Sequence, residues 1–354
     1  IRNCYDDATE ILTEHRGWVL FAALQPEERV AALHGDRVVW ETPTYHYSAP
    51  FHGELISVQS QTIDLLVTPD HHLWVSPRQT RQKLWGAYRH ARAQDIEGVG
   101  GLYRMRATAE FPSTLGDERS EAFYEFLGFW FAEGYAGAYP RSDCVGMHWR
   151  LVVTHKPCDY VANLLTAAGF KWSLAEKLGG ANYVISTADF RVKALIAELL
   201  QYGHAINKRL PRYIIEAPRH LAAAFLKGFH MGDGSGGPKN PSRPFILYTA
   251  SKQLVDDVHE LILRLGFSAT TARSDSPTVH GEMWRVTQHH EKRQSPVILT
   301  NHWGRQPYNG LVHCVEVSTH VVLVRRNGKS VWCGQTYGQL RDTTKKTFDQ
   351  WVPP

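Results

Sequence analysis

No apolar run in this 354-residue chain approaches the ~18 residues that a membrane span requires. Ile1 to Asp7 contains no apolar core of the kind a signal peptide carries, so neither membrane insertion nor secretion is expected. There is no Ser/Gly or Gln/Asn tract, and with 43% hydrophobic and 21% charged residues the composition is that of folded domains. No Gly-x-x-x-x-Gly-Lys-[Ser/Thr] loop is present, which argues against ATPase chemistry within this chain. The five cysteines (Cys4, Cys144, Cys158, Cys314, Cys333) form no Cys-x-x-Cys pair, so neither a zinc knuckle nor a disulfide framework is indicated. An odd number of thiols suits a reducing cytosol, where a free thiol can serve as a nucleophile. Charge of neither sign dominates; a net +4 permits nucleic-acid contact without demanding it.

What is present changes character along the chain. Residues 4 to about 75 read as short strands: Tyr5 to Thr13, Gly17 to Leu20, Arg37 to Trp40, Ile63 to Val67 and Leu73 to Val75. Residues 78–106 are basic and aromatic, and read as a solvated surface segment. From about 119 the apolar spacing turns helical, in Glu121 to Ala132, Cys158 to Ala168, Phe190 to Tyr202, Leu221 to Met231 and Leu254 to Leu265. From about 311 strands return, with Asn327-Gly328 between two apolar runs predicting a hairpin. The pattern predicts an all-β domain interrupted by an α+β insertion.

The insertion repeats itself. Phe126-Leu-Gly-Phe-Trp-Phe-Ala-Glu-Gly134 and Leu226-Lys-Gly-Phe-His-Met-Gly-Asp-Gly234 share one pattern, their acids 100 positions apart. Each is followed by a strand-like run and a helix ending in Gly-Phe, at Gly169-Phe170 and Gly266-Phe267. On a helix, Gly128 with Ala132 and Gly228 with Gly232 lie on one face at i and i+4, where small residues let two backbones approach. Two such helices packed together would bring Glu133 and Asp233 to a pseudo-two-fold axis, each acid followed by a glycine of the sort that ends helices. Carboxylates suit Mg²⁺, and paired metal ions can clamp both oxygens of a phosphodiester displacement. The flanking strands would form a basic saddle for the phosphate backbone of double-stranded DNA.

These motifs resemble the LAGLIDADG homing endonucleases. Lys208-Arg-Leu-Pro-Arg-Tyr-Ile-Ile215 is similar to the lysine-containing block between the two helices of intein-borne members, and Ser251 to Phe267 to the block after the second. The resemblance implies Glu133 and Asp233 as metal ligands, Mg²⁺ as cofactor, Lys208 as a stabiliser of phosphate charge and a monomer as the active form. Glu133 stands where the commoner residue is Asp.

The outer segments carry a second set. Cys4-Tyr-Asp-Asp-Ala-Thr-Glu-Ile-Leu-Thr13, Val67-Thr-Pro-Asp-His71, Val312-His-Cys-Val-Glu-Val317 and Val331-Trp-Cys-Gly-Gln-Thr336, in this order around the endonuclease-like insert, resemble the splicing blocks of inteins. The resemblance implies the horseshoe-like, all-β Hint fold and protein splicing. Cys4 would attack the Asn3 carbonyl, with Thr68 and His71 acting on the Asn3–Cys4 amide. Thr336 would take the acyl group, the Gln335 side chain would cut the Gln335–Thr336 bond, and the flanks would be joined. Departures fall at Gly334, where most inteins have His, leaving His320 as a stand-in proton donor by position; at Gln335, for the usual Asn; and at Cys314, for the usual Asp. A thiol at 314 could relay protons, hold a transient thioester or fill the core, whereas Cys333 and Cys158 lie outside the catalytic block positions. Gln335 is either natural or a substitution made to trap a precursor.

Ile1-Arg-Asn3 joined to Thr336-Tyr-Gly-Gln-Leu-Arg-Asp-Thr-Thr-Lys-Lys-Thr-Phe-Asp-Gln-Trp351 is similar to a segment of phage terminase large subunits. The expected order is therefore flanking host sequence at 1–3 and 336–354, splicing domain at 4–112 and 301–335, and endonuclease at 113–300. Two other readings stay open: an endonuclease decayed to a DNA-binding insert, and a Hint-type autoprotease that cleaves without ligating.

Overall fold

The computed structural model describes residues 3–79, 81–112, 116–142, 145–177, 179–240, 243–274, 281–289 and 294–335. The chain divides into two units, one of 1–112, 266–270 and 289–354, the other of 113–265 and 271–288. Thr336, expected as the acyl acceptor, and the flank beyond it lie outside the described residues. Among the described residues no helix is long and apolar enough to cross a membrane.

The first unit is built of β-strands. Its longest pair is Tyr45–Gln59 against Trp303–Glu316, antiparallel in register from Tyr45↔Glu316 to Val58↔Trp303. Asp64–Val67 and Tyr5–Asp6 close these two strands into a barrel, with Tyr5 opposite both His313 and Val67. A second layer pairs Val321–Arg326 with Lys329–Gly334 and with Glu10–Thr13. The predicted hairpin forms at Asn327-Gly328, both with positive φ (47° and 73°), which is what a two-residue primed turn demands. Apolar side chains from both layers, among them Ile11, Val58, Val67, Val324 and Val331, make one core.

Two expectations change here, and a third gains detail. Tyr5 to Thr13 is two strands, because the chain turns at Asp7 and Ala8 between Tyr5–Asp6 and Glu10–Thr13. The basic run after residue 78 is largely exposed or half-buried, as a solvated surface segment should be, and much of it also pairs in the sheet: Arg89–Arg92 and Tyr103–Met105 flank His72–Gln79, and the Arg104 guanidinium lies over the rings of Trp85 and Tyr88 at 5.0 and 5.5 Å. The second unit ends at 288 rather than 300. Val297–Ile298 pairs with Tyr103–Met105, and Met105 N–H donates to Pro296 O, which ties this stretch to the first unit.

The second unit carries the duplication. Helix Glu121–Glu133 leads into the sheet strands Gly134–Pro140, Met147–His155 and Gly180–Ile185; helix Arg219–Asp233 leads into Gly234–Ser235, Phe245–Thr249 and Trp284–Gln288. Both helices are held at their glycines. A Cβ on Gly128 would overlap the Phe225 carbonyl oxygen, and one on Gly228 would overlap the Glu125 carbonyl oxygen. A methyl at Gly232 would sit 2.6 Å from the Ala132 Cβ. The contact is backbone against backbone, so neither side can yield by turning a side chain. Gly128→Ala and Gly228→Ala are each expected to cost about 1–3 kcal/mol or more of stability in denaturant melts. Gly116→Ala, at a glycine with open space around it, should leave the midpoint in place.

Candidate functional site

Two clusters of candidate residues form, one in each unit. In the second unit, Glu133 and Asp233 end the paired helices. The glycines that follow them do not adopt the left-handed cap conformation that residue type suggests: Gly134 has φ −101° and Gly234 φ −103°. They are glycines because a Cβ would run into the Trp130 ring in one case and the His230 ring in the other. Asp233 is pushed up to about 7, by burial first, then by the like charge of Glu133, with Lys208 and Lys239 opposing.

Lys208 is buried rather than displayed on a loop. Its ammonium donates to Phe131 O at 2.8 Å and Gly134 O at 3.2 Å, and lies 4.9 Å from the Trp130 ring. Burial lowers it to about 8, against the pull of Asp233 and Glu133. On the other helix Lys239 donates to Met231 O at 3.0 Å and Gly234 O at 3.1 Å. These carbonyls are the 100-residue counterparts of the first pair. A cation at each helix C-terminus is electrostatically favourable. Lys208 comes 77 positions after the Phe131 carbonyl it bonds and Lys239 only 8 after that of Met231, so the symmetry arises from positions that are not equivalent in sequence. Tyr139 occupies the place corresponding to Lys239, which left no repeat signal to find.

The strands expected to form a basic saddle carry few charges. On the open face of the first half-sheet stand Tyr135, Tyr139, His148 and Arg150, and in the second half Tyr248 and Arg285 share a face. Besides Arg150 and Arg285, Lys177 on Trp172–Lys177 and Arg273 on Ala269–Arg273 are the fixed positive charges on the strands of these two half-sheets among the described residues. Most of the chain's cations lie elsewhere.

In the first unit the residues of both expected junctions meet. Cys4 is fully buried, its N–H donating to the Thr68 hydroxyl at 2.9 Å, while Thr68 N–H donates to Cys4 O at 3.0 Å. Asn3, before that amide, has φ 67°, a left-handed conformation that Asn tolerates better than most residues, and its Oδ1 accepts from His72 N–H at 2.8 Å. The Cys314 side chain is the leading cause of a strongly raised Cys4 thiol, ahead of burial, so the two thiols face one another among Leu55, Leu66 and Val312. His71 is fully buried and pushed down to about 3 by that burial and by the charge of His72, with the backbones of Asn3 and Gly334 pulling the other way.

The far end of the domain comes to the same imidazole. Tyr5 O–H donates to Gly334 O at 3.3 Å across 329 positions of sequence, and the Tyr5 ring meets His71 edge-on at 4.4 Å. Gln335 is buried; its N–H donates to His320 O, and its Oε1 accepts from Val315 N–H at 3.2 Å. His320 has φ 57°. Cys333 is not remote from this chemistry: its thiol lies 3.4 Å from His71 Nε2. Cys158 lies in the second unit beside His155. Tyr5, His72 and His90, which approaches Gly334, were not picked out from sequence, because only the fold brings them to the junctions.

Residues 220–298 match the LAGLIDADG-like domain family. The second half of the duplicated unit is therefore LAGLIDADG-like. The chain is also 25% identical to the DNA-directed RNA polymerase subunit beta C-terminal section of Stigeoclonium helveticum, over 94% of this chain and 36% of that one. It is 21% identical to the ATP-dependent Clp protease proteolytic subunit of Chlamydomonas moewusii, over 80% of this chain and 31% of that one. The chain thus spans about a third of the length of these relatives. Among solved structures it is similar to I-DmoI in complex with its target DNA, at 16% identity and a TM-score of 0.38, covering 48% of this chain and 89% of that one.

Proposed function

We propose that this chain is a protein-splicing element of the Hint fold carrying a LAGLIDADG homing endonuclease. The observation that carries the splicing half is the meeting of Asn3–Cys4 and Gly334–Gln335 at Tyr5 and His71. An enzyme acting on a separate substrate has no need to bury two distant peptide bonds of its own chain side by side. The relatives support the same reading: a polymerase subunit and a protease subunit share no activity, yet each aligns with most of this chain over about a third of its own length. A segment common to unrelated hosts is an insertion in them.

Cys4 attacks the Asn3 carbonyl carbon, the Thr68 hydroxyl sits on the amide nitrogen that must depart, and neutral His71 moves the proton between them. Cys314, thiol against thiol with Cys4, is placed to receive that acyl group or its proton. Thr336 then carries the acyl chain, and Gln335 Nε2 attacks its own carbonyl to release the C-terminal flank. The Ile1–Asn3 and Thr336–Trp351 flanks belong, on this reading, to a terminase-like host in a bacterial or phage-infected cytoplasm.

For the insert, the carboxylates of Glu133 and Asp233 would hold Mg²⁺. Two half-buried acids at one axis, one of them pushed up by burial and by the other's charge, are hard oxygen ligands, and this donor chemistry fits a divalent cation. When bound, the ion supplies charge neutralisation at a phosphodiester. Lys208 and Lys239 fix the two helix ends, and the open sheet faces, with Arg150 and Arg285, take the DNA. The target is the uninterrupted host allele spanning the joined codons for Asn3 and Thr336, bound by a monomer.

Intact-mass analysis of freshly made protein tests the splicing half: joined flanks and an excised 4–335 fragment are expected, more rapidly for Gln335→Asn, whose imide is five-membered. Cleavage at one junction with no joined flank would leave an autoprotease instead. For the insert, a plasmid carrying the joined site should be cut in Mg²⁺ while one carrying the interrupted site is not.

A further inference from the structure

Gly334 has no conformational reason to be glycine, since its φ is not in the left-handed region. Its reason is what surrounds it. A Cβ there would overlap the His72 carbonyl oxygen and would lie 2.6 Å from His90 Nδ1 and 3.0 Å from His90 Cε1. The His90 ring therefore occupies the volume into which a side chain at 334 would project. Its strand, Arg89–Arg92, pairs with His72–Gln79 with His90 opposite Trp74, and the Trp74 ring packs on the imidazole with centroids 4.7 Å apart. The backbone and an indole fix the ring in place.

Buried polar atoms ordinarily find partners, and exceptions concentrate where chemistry is done. Here Nδ1 of His71, Nδ1 of His90, Nδ1 of His320 and Nε2 of Gln335 are all buried with no hydrogen-bond partner among the described residues. Three imidazoles and the side-chain amide of Gln335 thus surround one stretch of backbone. His90 lies near enough to His72 and His320 for their charges to add to the effect of burial and push it down to about 4, so it is neutral at pH 7.

We propose that His90 is the proton relay of the C-terminal cleavage step, delivering from a neighbouring strand the imidazole that position 334 lacks. The inference rests on the splicing reading above. In that step the bond from Gln335 Nε2 to the Gln335 carbonyl carbon forms, and the bond from that carbon to the nitrogen of residue 336 breaks. One proton leaves Nε2 and one must arrive on the departing nitrogen. His90 takes the first on Nδ1, and the imidazole cluster returns one to the leaving amine, so protons balance and no redox partner is required.

The experiment measures the two junctions separately in the purified full chain by intact mass: release of the N-terminal flank by dithiothreitol, and release of the C-terminal flank. His90→Ala should leave dithiothreitol release unchanged and slow C-terminal release about a hundredfold, the usual worth of a proton-transfer group. Free imidazole should restore a substantial part of that rate in His90→Ala and do nothing to the parent. His90→Asn, which keeps a polar side chain of similar reach but cannot carry a proton at neutral pH, should remain slow. C-terminal release at the parent rate in either variant, or a slow His90→Ala that imidazole leaves slow, overturns the proposal. If the parent itself releases neither flank, the splicing reading fails first and independently of His90.

Discussion

Asp233→Asn and Glu133→Gln are each expected to reduce DNA cutting at the joined site by about a thousandfold, the scale on which loss of a preorganised charged group acts on a transition state. Binding should survive, because the sheet faces rather than the acids contact the phosphates. A readout free of catalysis comes from the proton on Asp233. Its pKa of about 7 lies above the 3.8 of an ordinary aspartate, so between these values the folded state holds a proton that the unfolded chain has released. The stability this group contributes is present below pH 3.8 and is lost as pH rises towards 7. Asp257 is shifted in the same direction, mainly by burial, and adds to the same slope. Mg²⁺ binding near pH 6 should therefore expel a proton, seen as a buffer-dependent heat in calorimetry. Asp233→Asn should abolish that dependence and flatten part of the stability slope. A parent protein whose Mg²⁺ heat is the same in every buffer would remove the carboxylate pair as the metal site.

The second large effect is at Cys4. Dithiothreitol or hydroxylamine should release the N-terminal flank from the parent and fail to do so from Cys4→Ala, a difference limited only by detection. Because Cys314 and burial raise the Cys4 thiol, Cys4 is not a thiolate at neutral pH, and the proposed attack needs the neighbouring imidazole to take its proton. Cys314→Ala is expected to impair joining of the flanks strongly, and Cys158→Ala to leave it untouched. Cys333→Ala should fall between them, since its thiol rests against His71. Equal splicing by Cys314→Ala and the parent would make residue 314 a packing residue.

Local and repeated features were legible without coordinates. The Gly/Ala faces of the two motif helices, the acids at their ends and the Asn327-Gly328 hairpin are each set by residues a few positions apart, where the chain's own periodicity is the cause. The helical pattern over Glu121 to Ala132 needed no partner to be read. Tyr45–Gln59 was not legible. It contains Pro50 and Gly53, its first ten residues are exposed or half-buried, and it is a strand because Trp303–Glu316 pairs with it from about 250 positions away.

The same division runs through the candidate sites. Sequence alone singled out the residues proposed for the chemistry: Cys4, Thr68, His71, Cys314 and Gln335 in one set, Glu133, Asp233 and Lys208 in the other. Tertiary structure decided how they are supported. Lys239 mirrors Lys208 only because two helix ends expose equivalent carbonyls in space, and any nearby ammonium can answer that demand. His90 reaches Gly334 only because Arg89–Arg92 lies beside His72–Gln79. Strand pairing is a non-local contact whose partner the sequence does not name, whereas a helix face is written every three or four residues along the chain.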